Sequence, residues 1–502
     1  GLYNTAVGYQ SGLAITTGLN NSFFGYACGD GTDDGARNTA MGAGSLSANA
    51  ADDNTAVGYE ALKVVTGSDN TAVGSYAGVS VTSGEDNTLM GYAAGDALTD
   101  GSSNVAMGYH ALSASQSGAS NVAIGWQAMY GSNHTDANGT VAIGKGALEA
   151  LSSGQYSVAV GYEAGNEITT SDSSTGLGYR ALAGTSAAAC YGNNNTAIGY
   201  NALTKIDYGA NTNTAVGSEA GQIMTQGTAN TLLGYKALGS YSGYSATPEA
   251  HRNIAIGYES IGIFARSGTG TSGGVSDNIA IGYQAFKGAD LGSNPSTTHS
   301  KNIAIGNYAL DATGTNAQTG TIAIGHEALT ALTSGTQNTA IGYQAGLIAT
   351  DNTGNTIIGY QAFKAADSGE NNNTVIGALA GSAIDSATAD NNVLIGYSAG
   401  LGGDGQIKNS IAIGNYALDN TGTADVLGVV AIGHYAGSSA NHSQVEGGTF
   451  VGYEAGKSLG SAGHTTAIGY QALTTVNANG YNTAVGSCAL KLATGGYNTA
   501  LG

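Results

Sequence analysis

The stretch Asn195-Thr196-Ala197-Ile198-Gly199-Tyr200-Asn201-Ala202-Leu203 is the unit from which this 502-residue chain is built. We number its residues as motif positions 1 to 9. Closely similar motifs recur along the whole chain, for example at 4–13, 54–62, 278–286, 338–346 and 482–490. Counting the glycine at position 5 gives 28 copies, from Gly8 to Gly502, and the copies near the start of the chain are almost evenly spaced. A short, nearly fixed period is typical of a solenoid.

A period of about 17 residues is too short for a helix pair or a propeller blade, but it fits one rung of a parallel β-solenoid with two short strands. We therefore predict an all-β, parallel β-solenoid or β-roll of about 28 rungs that runs as one continuous array over residues 1–502. At a rung spacing of about 4.8 Å, such an array is a rod on the order of 130 Å long. Because both ends fall within a repeat, we expect the array to be a fragment of a longer one.

Motif positions 2 and 4 point to the same side of a strand because side chains alternate along it. We expect this pair to fill the interior of each roll, with position 3, usually alanine, facing neighbouring chains near a common axis. Positions 8 and 9 are interpreted as the second strand. The residues predicted to form the core at position 4 are Val57, Ile124, Ile198, Ile256, Ile305 and Ile341.

Two columns of equivalent residues are predicted to act as structural ladders. Asparagine at position 1 lies at a turn, where its side chain can form hydrogen bonds up and down the axis. The representative residues are Asn54, Asn195 and Asn302. Aromatic side chains at position 6 are expected to stack from rung to rung. The representative residues are Tyr59, Tyr200 and Tyr360. A row of tyrosines could instead contact carbohydrate or protein.

The chain carries 14 Lys and Arg residues against 34 Asp and Glu residues, a formal net charge of −20. It has no basic patch, so we expect no nucleic acid partner. No run of 18 apolar residues occurs, so we expect no membrane insertion in this segment. No catalytic, metal or nucleotide-binding motif is present, so we predict no catalytic residue, no cofactor and no enzymatic activity. Calcium at Asp-rich turns such as residues 30–34 is the weaker alternative.

Three consecutive rungs between residues 234 and 306 are longer than the others. Their position-5 glycines are widely spaced, at Gly234, Gly257, Gly282 and Gly306. Insertions at equivalent places in stacked rungs create one lateral bulge of enlarged loops. If the fibre has a specific receptor site, we place it on this bulge. The predicted contact residues are Tyr241, Tyr244, His251, Arg252, Phe264 and Arg266.

The motifs at 104–108, 121–125 and 302–306 resemble the head repeats of trimeric autotransporter adhesins, and similar repeats occur in phage tail-fibre-like proteins. The resemblance covers about half of each rung along the whole chain. It implies a left-handed parallel β-roll, three chains around one axis, and adhesion at a bacterial surface. The repeat here is longer than the family's, and its regular tyrosine at position 6 is unusual for the family.

Together these features favour a non-enzymatic, extracellular structural fibre, either a cell-surface adhesin or appendage or the shaft of a viral tail fibre. Its partners would be itself, as a homotrimer or filament, and a surface glycan or host receptor. The alternative is a carbohydrate-binding or carbohydrate-processing β-solenoid with carboxylates gathered on one face. An ice- or mineral-binding solenoid is a third interpretation, and it requires an exposed row of threonines.

Overall fold

The computed structural model describes residues 1–131, 137–184, 190–206, 209–222, 224–239, 250–262, 274–288, 298–313, 317–403, 405–423, 425–440, 445–459, 463–476 and 480–502. Over these residues the chain is a parallel β-solenoid, as the repeat predicts, and no helix occurs among them. It divides into two compact units, Gly1–Gly239 and Ser240–Gly502.

In the first unit, one three-residue strand per rung covers motif positions 2 to 4. Within its described residues these strands are Thr5–Val7, Ser22–Phe24, Thr39–Met41, Thr55–Val57, Thr71–Val73, Thr88–Met90, Val105–Met107, Val122–Ile124, Val141–Ile143, Val158–Val160, Thr175–Leu177, Thr196–Ile198, Thr214–Val216 and Thr231–Leu233. Neighbouring strands are parallel and pair in register, position 2 with position 2 and so on.

The second unit repeats the arrangement. The corresponding strands are Ile254–Ile256, Ile279–Ile281, Ile303–Ile305, Ile322–Ile324, Thr339–Ile341, Thr356–Ile358, Thr374–Ile376, Val393–Ile395, Ile411–Ile413, Val430–Ile432, Thr449–Val451, Thr466–Ile468, Thr483–Val485 and Thr499–Leu501. Their register is also maintained from rung to rung, even across the enlarged connection between Ile254–Ile256 and Ile279–Ile281.

Among the described residues, a second strand forms in only part of the rungs, and it does not lie at positions 8 and 9. In the first unit these strands are Ile168–Thr170, Cys190–Tyr191 and Gly227–Thr228. In the second unit they are Ala250–His251, Val275–Ser276, His299–Ser300, Gln318–Thr319, Ile407–Lys408, Val426–Leu427, Ser439–Ala440, Val445–Glu446, Ser458–Leu459, Thr475–Val476 and Leu492–Ala493. Ala202 and Leu203, predicted to be a strand, form a turn in which Leu203 has a φ of 49°. This left-handed backbone cannot continue a strand.

The orientation of the main strand is the reverse of the prediction. Ala197 is fully buried inside its own rung, whereas Thr196 and Ile198 are half-exposed on the outer face. The same correction applies to every residue predicted to form the core at position 4: Val57, Ile124, Ile198, Ile256, Ile305 and Ile341 are half-exposed or exposed. Because position 3 points inward, alanine there does not mark a surface between chains.

The opposite wall of the rung explains why position 3 is small. The large apolar side chain at position 9, such as Leu203 or Phe286, is fully buried and fills the narrow interior. Where position 3 is large, position 9 of the same or the preceding rung is glycine. A methyl group added at Gly95 would lie 2.8 Å from Leu89, and one added at Gly29 would lie 2.6 Å from Phe23. A large side chain on one wall is therefore matched by a small residue on the other, which keeps the interior closely packed.

The glycine at position 5 is required by both its conformation and its surroundings. Gly306 has a φ of 132°, in a region that is open essentially to glycine alone. A Cβ atom there would lie 2.5 Å from the carbonyl oxygen of Gly325 in the next rung. The backbones of adjacent rungs therefore approach closely along this column, which fixes the turn that follows each strand.

Candidate functional surfaces

The asparagine column forms internal ladders that run over several rungs and are interrupted where position 1 carries another residue, as at Val429 and Gly448. Asn302 is fully buried; its Nδ2 atom donates to the Gln318 carbonyl oxygen at 3.0 Å, and its Oδ1 atom accepts from the Thr321 backbone N–H at 3.0 Å. The same pattern holds at Asn54 and Asn195, which are also fully buried. Each side chain thus supplies the hydrogen bonds that two backbone groups of the next rung need at a turn.

A second set of side chains ties the rungs in the opposite direction. Two residues before position 1, Asp52 and Asp172 accept hydrogen bonds from backbone N–H groups of the preceding rung, at 2.8 and 2.9 Å. Asp390 does the same at 2.8 Å. The sequence analysis did not single out these acidic residues. The signal that identifies them is the recurrence of Asp or Asn at a fixed distance from position 1.

The aromatic side chains at position 6 form an external column. Tyr179 and Tyr200 stack with ring centroids 5.2 Å apart and an interplanar angle of 13°, and Tyr343 and Tyr360 stack at 5.4 Å and 10°. Where position 6 is not aromatic, position 7 can take over: Tyr76 follows Ser75 and makes an edge contact with Tyr59 at 5.3 Å. Ring contact between rungs can therefore continue when the aromatic residue moves by one position, but it stops at rungs that carry no aromatic residue at either position, such as Ala43-Gly44 and Ala378-Leu379.

Stacking determines which part of each ring meets the solvent. Trp126 lies against Tyr109 on one side, with centroids 6.4 Å apart and planes 8° apart, and Lys145 Nζ lies 4.9 Å from its ring centroid. The faces of such rings are directed at neighbouring rungs, so mainly the edges and hydroxyl groups face solvent. Sugar rings and bases stack on exposed ring faces, and rings that have a stacked neighbour on both sides do not offer such a face.

The residues predicted to contact a receptor are only partly within the described chain. Tyr241, Tyr244, Phe264 and Arg266 lie outside the described residues. His251 is half-buried on the strand Ala250–His251. Arg252 is exposed and binds Asp277 of the next rung with two hydrogen bonds of 2.6 and 3.0 Å. Hydrogen bonding to Arg252 lowers the pKa of the Asp277 carboxyl.

The two described carboxylates in this region are both held by neighbouring side chains. Glu259 accepts a hydrogen bond from Gln284 Nε2 at 2.8 Å and lies 3.5 Å from Lys287 Nζ, while Asp277 is paired with Arg252. A general acid needs a raised pKa, and hydrogen bonding to Arg252 acts on the pKa of Asp277 in the opposite direction. The pairing therefore does not favour Asp277 as the general acid of a glycoside hydrolase.

Metal binding receives no support from the described part of the chain. No group of three His, Cys, Asp or Glu side chains there is placed to hold a metal ion. In the Asp-rich turn, Asp33 accepts a hydrogen bond from Thr16, and Asp34 Oδ1 accepts one from Asn49 at 3.4 Å. These carboxylates connect rungs and do not converge on a common point.

The described residues also include no helix long and apolar enough to cross a membrane.

A group of polar residues buried in the second unit was not anticipated from the sequence. His299, Gln318, Asn352 and Glu370 occupy the place three residues before position 1, where most rungs carry glycine or a small apolar residue, and their exposure is at most 1%. Burial lowers the pKa of His299 to about 4 and raises the pKa of Glu370 to about 7. A polar residue at a small-residue position of the repeat is the signal that identifies them.

The raised pKa of Glu370 predicts a pH dependence of stability. The folded chain holds this proton up to about pH 7, whereas the unfolded chain releases it near 4.5, so stability is lost as pH rises between these values. Glu370→Gln should leave the free energy of unfolding unchanged below pH 4.5 and raise it by about 3 kcal/mol at pH 8. Glutamine is accepted at the equivalent Gln318 position. Urea unfolding of both chains at pH 4 and pH 8 measures the difference. The same pH dependence in both chains would show that the Glu370 carboxyl does not cause the loss of stability.

Compared with known proteins, the chain matches no protein-family model and no curated protein.

Proposed function

We propose that the chain is a non-enzymatic structural element of an extracellular fibre, carried on a cell surface or a virion. The observation that supports this proposal is the unbroken register of the motif within each unit, where every described neighbouring pair of main strands aligns equivalent residues. Runs of buried asparagine and of stacked aromatic rings add contacts between neighbouring rungs within each unit. Such an array resists bending and can be lengthened by repetition.

Charge and chemistry fit this role. A net charge of −20 keeps a long particle soluble and disfavours non-specific clustering. The stacked aromatic column and the paired carboxylates near residues 257–306 give the carbohydrate-processing alternative no specific support. The resemblance to adhesin heads and tail-fibre repeats supplies the proposed surface location and the proposed role in attachment.

Imaging of the purified full chain by negative-stain electron microscopy tests the proposal. We expect straight, elongated particles of uniform width. A glycan hydrolysis assay on the same sample should show no release of sugar. Compact particles, or hydrolysis that is abolished by Glu259→Gln, would reject the structural role and favour the enzymatic alternative.

A further inference from the structure

In each unit the outer face of the main sheet carries no charged side chain. Motif positions 2 and 4 point outward, and none of the 28 strands carries a charged residue at either position. Position 4 is always apolar and remains accessible in the single chain: Met41 is 51% exposed, Leu233 48% and Ile341 37%. We refer to the outward side chains at positions 2 and 4 as the sheet face.

The charged residues of the same rungs lie elsewhere. The ion pairs Lys63–Glu60 and Lys457–Glu454 lie in the turn after position 6, and the Arg37–Asp53 pair lies in the turn before position 1. In a chain that is strongly acidic overall, an uncharged face of this length is where another acidic chain can approach with least repulsion. A basic partner would find no carboxylate on the sheet face itself.

The chemistry at position 2 distinguishes between kinds of partner. This position carries Thr or Ser in 17 strands and Val or Ile in 11, and the Val and Ile residues occur in blocks such as 105–158 and 254–322. The branched shape is retained while the hydroxyl group is not. A surface that binds glycans or ordered water would need hydroxyl groups at position 2 as hydrogen-bond partners. Apolar packing needs only the branched shape that Thr, Val and Ile share.

The dimensions of the sheet face are those of a stable protein interface. With strands about 4.8 Å apart and about 3.3 Å per residue, the fourteen strands of one unit present a face of about 650 Å². Each partner in a standard interface contributes about 800 Å², so one unit alone offers nearly that area. The column at position 4, about half of this face, is apolar throughout, and contiguous exposed apolar patches of a few hundred Å² are often functional.

We propose that the sheet face is a self-association surface, and that its occupant is a second copy of this chain packed sheet to sheet. Side chains on the face are spaced at the rung repeat, so interdigitation over many rungs requires a partner sheet with the same repeat. A second copy provides that spacing and the same uncharged surface. The inference goes beyond the fibre role because it identifies the surface through which the chains would associate. That surface is the sheet face, not the alanine column predicted from the sequence.

Charge substitutions on the full chain test the proposal. Ile341→Lys combined with Ile376→Lys puts two charges on the sheet face, and we expect the dissociation constant of the assembly to rise at least about a hundredfold. The matched control is Gln337→Lys with Asn372→Lys. These residues are exposed, lie in the same two rungs and have φ values of 60° and 59°. Lys301 already occupies the equivalent position with a φ of 59°. The control should leave association unchanged in sedimentation velocity.

Methionine oxidation gives a readout that needs no substitution. Met41, Met90 and Met107 lie on the sheet face, whereas Met129 and Met224 are buried in the core. In the native chain we expect hydrogen peroxide to oxidise all five at least about tenfold more slowly than in the urea-unfolded chain. The proposal is overturned if Met41 and Met90 oxidise at nearly the unfolded rate while Met129 and Met224 are protected. A monomer in sedimentation, or equal effects of the two lysine pairs in folded variants, would also overturn it.

Discussion

Gly306→Ala should lower the free energy of unfolding by about 3 to 5 kcal/mol, because two penalties coincide at this residue. Its φ of 132° is unfavourable for any residue with a Cβ atom, and that atom would lie 2.5 Å from the Gly325 carbonyl oxygen. This carbonyl group belongs to the backbone of the next rung, so it can move away only if the two rungs separate. We expect the loss to appear in the urea midpoint and in faster amide exchange in Ile303–Ile305 and Ile322–Ile324.

Gly320→Ala is the matched control in the next rung. Gly320 also has a positive φ, 68°, but nothing lies within 4 Å of an added Cβ atom. Other rungs carry ordinary residues at this place, such as Lys301 and Gln337. The control should cost about 1 kcal/mol, the difference between glycine and alanine in a left-handed conformation. Equal losses of unfolding free energy in the two variants would show that the close approach of the rungs does not contribute to the effect of Gly306→Ala.

Asn338→Ala is expected to cost about 2 to 5 kcal/mol, because it removes two hydrogen bonds to buried backbone groups. Asn338 Nδ2 donates to the Asn352 carbonyl oxygen at 2.6 Å, and its Oδ1 atom accepts from the Asn355 backbone N–H at 3.0 Å. Alanine can replace neither. Chemical unfolding of the full chain measures the loss, and we expect exchange to increase first in the rungs on either side of residue 338.

Two comparison variants separate the ladder from a general effect of substitution. Asn338→Ser keeps an acceptor, as at Ser410, whose Oγ atom accepts from the Val429 backbone N–H at 3.1 Å, so it should recover about half of the loss. Gln337→Ala changes the adjacent exposed residue and should cost less than about 1 kcal/mol. If Asn338→Ala were as mild as Gln337→Ala, the buried asparagines would not be structural.

The fold class and the ladders were accessible from the sequence because both depend on repetition alone. A motif that recurs at a short, nearly constant interval predicts stacked parallel strands, and Asn302 and Tyr200 mark the columns that result. The direction of the side chains was not accessible in the same way. Alternation shows that Thr196 and Ile198 share a side but not which side is the interior. Hydrophobicity favoured placing Ile198 inside, but buried Leu203 fills that space from the opposite wall.

The buried polar residues and the turns show a second limit. Glu370 and His299 belong to a column that most rungs fill with small residues, so only an alignment of the repeats makes them stand out. The turn at Ala202 and Leu203 depends on a left-handed conformation at Leu203, which residue preferences do not predict for leucine. The structure also changes the functional argument. With the threonines outside, the surface that we propose for association is the sheet face and not the alanine column.

Distances between equivalent residues test the central claim, the in-register stacking of rungs, most directly. Nitroxide labels on cysteines at Thr339, Val430 and Thr483, in a chain with its native cysteines replaced, can be measured by double electron–electron resonance after dilution with unlabelled chain. Thr339 and Val430 are five main strands apart, and Thr339 and Thr483 are eight apart. We predict narrow distributions near 24 Å and 38 Å, about 4.8 Å per rung. Similar distances for the two pairs, or broad distributions, would contradict the stacked solenoid.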